Sequence, residues 1–365
     1  MRIMHIFRAP VGGLFRHVHD LALEQARAGH EVGLICDLGG GEMAAERLAA
    51  LAPHMALGIT RIAMPRPPHP GDVEALAQVR TLLREKRPHI AHGHGAKGGL
   101  YARLSARGAG ARAVYTPHGG SLHFSWRSPK GALFLLAERW QLARTDGMVF
   151  VCEFEREAFT RKVGRPRCPV RVVHNGLTEA EFAPLPLDDD AADVLFIGEM
   201  RRLKGVDVLI EALARLHAAG RPVRACLVGD GPERADFAAL VEERGLASHV
   251  RMPGAMPASS AFRLGRVVVV PSRAESFPYV VLEAQAAGRP VIAARVGGIA
   301  EMLPEEMLVP PEDAEALARK IVQVLDDEDA LPRAAARIPA LKERFSSQRM
   351  AAEITAFYQT LRALA

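Results

Sequence analysis

Short apolar runs alternate with amphipathic stretches along most of this chain. In the first half strands are predicted at Arg2–Phe7, Glu31–Cys36, Thr60–Ala63, His89–His92, Ala111–Thr116, Gly147–Val151 and Val170–Val173. Helices are predicted between them near Leu14–Ala28, Asp72–Lys86, Lys97–Ala106, Pro129–Arg144 and Glu155–Val163. The second half repeats the rhythm, with strands at Asp193–Ile197, Val223–Val228, Val250–Met252, Val267–Val270, Val291–Ala294 and Met307–Val309. Its helices are expected over Val206–Ala219, Glu233–Glu243, Ser259–Leu264, Tyr279–Ala287, Asp313–Asp326 and Leu331–Arg344. Strands alternating with helices predict an α/β fold with parallel, doubly wound sheets.

The run Pro184-Leu-Pro-Leu-Asp-Asp-Asp190 interrupts the alternation and is the predicted linker. It divides the chain into a domain over 1–183 and a domain over 184–345. A last amphipathic helix, about Ser347–Ala363, has no strand after it, and the segment 346–365 is expected to pack back on the first domain. Open α/β sheets bind ligands beyond the carboxyl ends of their strands, where strand order reverses. Two such domains in tandem suit two substrates facing each other across a cleft.

Composition sets limits on the function. The 365 residues are 49% hydrophobic and 24% charged, as in an ordinary globular protein. Nothing approaches the apolar run of about 18 residues that a membrane-spanning helix needs, and Met1–Phe7 reads as a first strand, not a signal peptide. Cys36, Cys152, Cys168 and Cys226 are scattered, which suits buried thiols in a reducing compartment, and zinc is not expected. The net charge of +5 is uneven: residues 1–187 carry 25 Lys/Arg against 16 Asp/Glu, hence +9, and the remaining 22 and 26 give −4. A basic first half points to an anionic surface or substrate. No arginine-rich tract or aromatic-basic motif marks a nucleic-acid partner.

The chemistry concentrates between Ser272 and Glu301. A strand, a loop holding Glu275-Ser276-Phe277-Pro278, a helix holding Glu283, Gly288-Arg-Pro290 and then Gly297-Gly298 follow in order. The two carboxylates lie eight residues apart, one in the loop and one about five residues up the helix. One acid can meet the near end of a ligand and the other its far end, with helix N-terminal amides between them favouring an anion. Other motifs also sit at strand ends. Pro10-Val-Gly12-Gly13 opens the first helix, and glycine there either allows close approach of a phosphate or makes a tight turn without ligand. Gly198-Glu199-Met-Arg201-Arg202-Leu-Lys204-Gly205 places cations in a strand-to-helix loop, where Arg forks onto phosphate oxygens and Lys acts as a point charge; a solvated loop is the alternative. Gly229-Asp-Gly231 is either a nucleotide contact or an ordinary turn. His118, in Thr116-Pro-His118-Gly119-Gly120, either hydrogen-bonds a sugar hydroxyl or a developing charge or is a structural histidine. His92-Gly-His94 has metal-like spacing, but no third ligand has a clear position. Lys97 either meets an anionic acceptor or is a surface lysine. Phe124, Trp126, Arg127 and Lys130 before the apolar run 132–137 mark either a helix resting on an anionic bilayer or a core helix with a polar start.

Taken together and in order, these motifs resemble glycosyltransferase family 4, whose fold is GT-B. The resemblance runs over nearly the whole chain: Gly12-Gly13, Thr116-Pro-His118-Gly119, His174-Asn175-Gly176, the Arg201/Lys204-Gly205 loop, Gly229-Asp230-Gly231, Glu275 with Glu283, and Gly297-Gly298 followed by Glu301. It implies a retaining, metal-free and cofactor-free transfer of a hexose from a nucleotide-diphosphate sugar bound by the second domain. The acceptor, a glycan or a lipid-linked glycan, would lie on the first. By the same resemblance Glu275 binds donor sugar hydroxyls and Glu283 the ribose. Arg201 and Lys204 hold the diphosphate, and His118 stands near the reacting sugar. Gly12, Gly13, Gly198, Gly229, Gly231 and the backbone of Ser276, Phe277 and Pro278 line the donor; Lys97 and Asn175 are assigned to the acceptor. Two departures stand out. The family's usual arginine after the loop glycine is Glu199 here, so Arg201 or Arg202 must supply the cation, and Ser276 replaces a common glycine. The expected setting is cell-surface polysaccharide synthesis in the cytoplasm, with possible peripheral contact to the membrane. A nucleotide-sugar epimerase of the same shape, a nicotinamide oxidoreductase and a non-catalytic sugar-nucleotide-binding protein are the rivals.

Overall fold

A computed structural model describes residues 1–363, so Leu364 and Ala365 of the expected 346–365 segment lie outside the described residues. The first thirteen elements are β1 (Arg2–Phe7), α1 (Gly12–Arg27), β2 (Glu31–Asp37), α2 (Gly41–Leu51), β3 (Gly58–Ile62), α3 (Gly71–Lys86), β4 (Ile90–His94), α4 (Gly95–Ser105), β5 (Arg112–Thr116), α5 (Pro129–Gln141), β6 (Gly147–Phe150), α6 (Glu153–Lys162) and β7 (Val170–Val172). There follow β8 (Ala192–Ile197), α7 (Val206–Ala218), β9 (Ala225–Val228), α8 (Arg234–Glu243), β10 (Val250–Gly254), α9 (Ala258–Ala261), β11 (Gly265–Val270), α10 (Tyr279–Ala286), β12 (Val291–Ala294) and β13 (Leu308–Val309). Four helices end the chain: α11 (Ala314–Leu325), α12 (Ala330–Ala336), α13 (Ile338–Phe345) and α14 (Ser347–Ala363).

Every strand expected from the apolar runs is present. The helices differ in two places. Helix α2 was not expected; it buries only Ala44, Leu48 and Leu51, too narrow a stripe to stand out among its alanines. The single helix expected over Leu331–Arg344 is two, α12 and α13, because Pro339 sits in the first turn of α13, where its ring cannot continue a preceding helix.

The chain forms two compact units, residues 1–176 with the stretch from Ser347, and residues 177–346. The first division falls a few residues before the boundary at 183/184 read from the proline-rich run. In the first unit seven strands run in the order β3-β2-β1-β4-β5-β6-β7, and in the second six run β10-β9-β8-β11-β12-β13. All pairings are parallel. Strand order therefore reverses between β1 and β4 in one unit and between β8 and β11 in the other, and loops leaving those four strands diverge there.

Each sheet is covered on both faces, which is why its strands read as near-continuous apolar runs. In the first unit Met4 and Ile6 pack with Val79, Leu83, Tyr101 and Ala102 of α3 and α4. On the opposite face Ile3 packs with Leu21 of α1 and with Met350, Ile354, Phe357, Tyr358 and Leu361 of α14. Those α14 residues recur at the helical period, so the last helix supplies much of one face of the first core. Burying each such side chain stabilises by roughly 1.5–3 kcal/mol. Helix α4 lies unusually close to the sheet through Gly98, where an added Cβ would stand 2.1 Å from the Ile6 carbonyl oxygen. Beside it Arg103 is buried, donates to Glu138 Oε2 at 2.9 Å and stacks 3.9 Å from the Tyr115 ring, while Tyr115 donates to Glu138 Oε1 at 2.9 Å. This pairing ties α5 to α4 and β5. Gly98→Ala has no room and should destabilise the first unit by about 1–3 kcal/mol, read as a lower urea midpoint with an unchanged slope.

Candidate active site

In the second unit the loop after β11 and the loop after β8 are joined at the strand-order reversal. Lys204 Nζ donates to Glu275 Oε1 at 2.7 Å, and Ser272 Oγ donates to the same oxygen at 2.7 Å. The loop backbones interlock as well. A Cβ on Gly205 would lie 1.9 Å from the Pro271 carbonyl oxygen, and one on Gly297 would lie 1.9 Å from that of Glu275. Gly298 N–H donates to the Ser276 carbonyl at 2.7 Å. Arg273 forks onto Asp207 with two bonds of 2.8 Å and also donates to Glu312 at 2.8 Å and to the Arg202 carbonyl. The loop carrying Glu275 is thus pinned to the first turn of α7 and to both glycine-bearing loops beside it. Phe277 is buried, its ring 5.9 Å from that of Phe345. Pro278 is the N-cap of α10 and leaves the first amides of that helix without a side-chain cap. Glu283 is the fifth residue of α10 and half-buried.

In the first unit the strand-order reversal is occupied by histidines. His5 of β1 lies in register with His92 of β4, and Phe7 with His94. The sheet alternation turns all three imidazoles to one face. His17 of α1 and His118, just after β5, join them. His5, His17, His92 and His94 are at most 1% exposed, and His118 is half-buried. Most of their ring nitrogens are paired: His5 Nε2 with Gln25 Oε1 at 2.9 Å, His5 Nδ1 with His94 Nε2 at 2.9 Å, and His94 Nδ1 with His118 Nε2 at 3.1 Å, while His17 Nε2 has no partner. His17 Nδ1 meets Asn175 Oδ1 at 2.9 Å, and His92 lies between Tyr358 OH (2.5 Å) and Thr116 Oγ1 (2.8 Å). Burial pushes the imidazolium forms of all five out of reach: His5 and His17 titrate at about 4, and His92, His94 and His118 are also held well below the ordinary histidine range. His118 adopts the left-handed backbone region, φ +50°, followed by Gly119 at +75°. For a residue with a Cβ that conformation costs roughly 1–2 kcal/mol. Buried Glu155 holds the turn, accepting from Gly119 N–H at 2.5 Å and from Val151 N–H at 3.0 Å.

Residues 11–181 match the family model described as Glycosyltransferase Family 4, and residues 191–327 that for glycosyl transferases group 1. This chain is a group 1, family 4 glycosyltransferase. It is 26% identical over 349 residues to a phosphatidylinositol N-acetylglucosaminyltransferase subunit of Arabidopsis thaliana, covering 89% of this chain and 74% of that protein. Glycogen synthase of Mycobacterium tuberculosis is 27% identical over 368 residues, covering 92% and 87%. The fold is GT-B: the crystal structure of Anabaena HepE in complex with UDP superposes with a TM-score of 0.80 at 20% identity, covering 99% of this chain and 100% of that one.

Of the glycosyltransferase residues named from sequence, Glu275 and Lys204 are in direct contact. Arg201 stands apart from them, about half exposed, with Glu199 at 3.6 Å, and Arg202 is exposed too. The Gly198 carbonyl fills the space a Gly229 side chain would need, 1.8 Å from its Cβ position, and Gly231 abuts the backbone of Met200. Backbone packing thus accounts for those two glycines. Gly12 and Gly13 are exposed at the start of α1, whose N-cap Val11 offers no side-chain acceptor. Lys97 is committed to both Asp72 oxygens at 2.5 Å, and with Tyr101 it outweighs the effect of burial and lowers the Asp72 carboxyl. Asn175 is committed to His17. Arg273, His5, His17 and Gln25 were not picked out from sequence. For the two on α1 the signal was polar side chains at core positions, His17 and Gln25 flanking Leu21 at four-residue spacing on the buried face.

These neutral histidines make folding sensitive to acid. His5 and His17 titrate at about 4 in the folded protein against 6.5 for an unperturbed histidine. Between those values the unfolded chain binds more protons, so stability is complete above about pH 6.5 and falls as pH drops. Each imidazole contributes a slope of up to ~1.4 kcal/mol per pH unit. Urea midpoints at pH 7.5, 6 and 5 should fall in that order, and His17→Gln should flatten the decline.

Proposed function

We propose that this glycosyltransferase moves a hexose, with retention of anomeric configuration, from a nucleoside-diphosphate sugar to a hydroxyl of a glycan or lipid-linked glycan. The observation that carries this reading is the Lys204–Glu275–Ser272 contact at the strand-order reversal of the second unit. Glu275 there is an acceptor-only group fixed from two sides, suited to sugar hydroxyls, and Lys204 offers a cation beside it. The UDP in the HepE complex supports a nucleotide donor.

The chemistry separates charge. As the anomeric C–O bond breaks, the sugar becomes positive and the departing diphosphate gains negative charge. Lys204, with Arg201 or Arg202, and the positive end of α10 stabilise that diphosphate. A leaving phosphate oxygen takes the proton of the acceptor hydroxyl as the acceptor oxygen bonds the anomeric carbon on the face the diphosphate leaves. No metal is required, because protein cations supply the positive charge. Glu275 is not assigned as a nucleophile. Glu283 serves the ribose, Gly12 and Gly13 the phosphate, and His118 a sugar hydroxyl.

The acceptor side is read as membrane-proximal, at the inner face of the cytoplasmic membrane. Helix α5 exposes Leu133, Leu136 and Trp140 in one stripe, 53–63% accessible, with Trp126 beside it. Arg127, Lys130 and Arg139 are exposed around them, and Arg144 stacks 3.8 Å from the Trp140 ring. The one carboxylate of the helix, Glu138, is turned inward to Arg103. An apolar stripe rimmed by cations alone fits an anionic bilayer. No helix among the described residues is long and apolar enough to cross a membrane.

Thermal-shift screening against nucleotides and nucleotide sugars should pick one base and sugar. Glu275→Gln and Lys204→Ala should each lower kcat/KM with that donor by roughly 10²-fold or more, with the anomeric configuration retained by NMR of the product. Inversion, or epimerised donor formed without acceptor, refutes the reading. Separately, vesicles containing phosphatidylglycerol should bind the protein at low salt and release it at high salt, and Leu133→Ser with Trp140→Ser should weaken binding roughly tenfold or more; equal binding to neutral vesicles counts against the membrane part.

A further inference from the structure

We infer that Gln25 sets the tautomers of a three-histidine hydrogen-bond chain, and so fixes His118 with its proton on Nε2 and a bare lone pair on Nδ1. The chain runs Gln25–His5–His94–His118, with contacts of 2.9, 2.9 and 3.1 Å. The Gln25 carbonyl oxygen only accepts, so His5 Nε2 carries a proton and donates it. The amide nitrogen faces Thr355 Oγ1 at 3.3 Å, where the hydroxyl accepts from it. A neutral imidazole has one N–H, so His5 Nδ1 is an acceptor and His94 Nε2–H must donate to it. By the same step His94 Nδ1 accepts from His118 Nε2–H. That leaves His118 Nδ1 bare, and it has no hydrogen-bond partner among the described residues. Desolvation keeps each ring neutral, which the deduction requires.

The consequence concerns ligand chemistry, and there it rests on the glycosyltransferase reading. A neutral ring presenting a lone pair accepts from a hydroxyl and repels a phosphate oxygen. His118 is therefore a hydroxyl reader, and Gln25, His5 and His94 are positioning residues that decide which nitrogen it shows. His17 is an internal control. Its Nδ1 faces the Asn175 carbonyl oxygen at 2.9 Å, so it carries the opposite tautomer, and its buried Nε2 has no hydrogen-bond partner. The nitrogens of His17, His94 and His118 lie within 4.8 Å of one another, so a divalent cation is the competing explanation for their grouping.

The test is long-range proton–nitrogen NMR of the full chain labelled with 15N-histidine, without substrate. His5, His94 and His118 should each be protonated on Nε2, and His17 on Nδ1. Gln25→Met, close in size but unable to accept, should convert His118 to a mixture of tautomers. It should also lower kcat roughly tenfold, as for one misdirected hydrogen bond, leaving KM for the donor unchanged. A proton on His118 Nδ1 in the unsubstituted protein overturns the inference, as does a single unchanged tautomer in the variant. Titration with zinc chloride that saturates at one equivalent and removes the His118 ring proton overturns it too, in favour of a metal centre. The tautomer readout needs no donor, so it succeeds or fails separately from the assigned reaction.

Discussion

The ion pair between Lys204 and Glu275 is the contact on which the second unit's site depends. It joins the loops leaving β8 and β11, the two strands between which the order of the sheet reverses. Parallel strands end in step, so their following loops start close together, but nothing in the sheet dictates what those loops do next. Here Ser272 and Lys204 converge on one carboxylate oxygen. Gly205 and Gly297 give up their side chains so that the neighbouring carbonyls can close in, and Arg273 clamps the same loop to Asp207. A carboxylate held this way loses little freedom when it meets a ligand, and that advantage is the usual reason for building a binding group on so many supports.

The first unit solves the corresponding position differently. Where β1 and β4 part, it buries imidazoles, the side chains that can be neutral and still bond through two atoms. Each ring must find partners for both nitrogens or suffer the cost of an unmet polar group. Gln25, Asn175, Thr116 and Tyr358 supply partners from four different segments of the chain, and His17 Nε2 is left bearing that cost. The left-handed backbone of His118 is held by Glu155 from yet another. Such an arrangement is specified by many residues at once, which makes it rigid.

The sequence announces some of this and conceals the rest. Strands are legible because parallel sheets covered on both faces leave continuous apolar runs. Glu275 and Lys204 are legible because glycines and prolines punctuate their loops. Helix α2 was missed because alanine carries so little contrast, and the break before α13 because a proline in a first turn looks like one in the middle of a helix. Lys97 and Asn175 look free to meet a ligand in the sequence, but their partners, Asp72 and His17, lie 25 and 158 positions away. The histidine cluster stays hidden for a related reason: His5 and His92 become neighbours only once the register of β1 on β4 is known.

Helix α14 carries a consequence for how the molecule comes into being. The first core takes its last layer from Met350, Ile354, Phe357 and Tyr358, synthesised long after the sheet they cover. On the ribosome the stretch 177–346 is contiguous and can close as soon as it emerges. The amino-terminal half, though made first, must wait with one flank of its sheet uncovered. The nascent amino-terminal half therefore carries an apolar sheet flank that stays incompletely covered for as long as α14 is unmade.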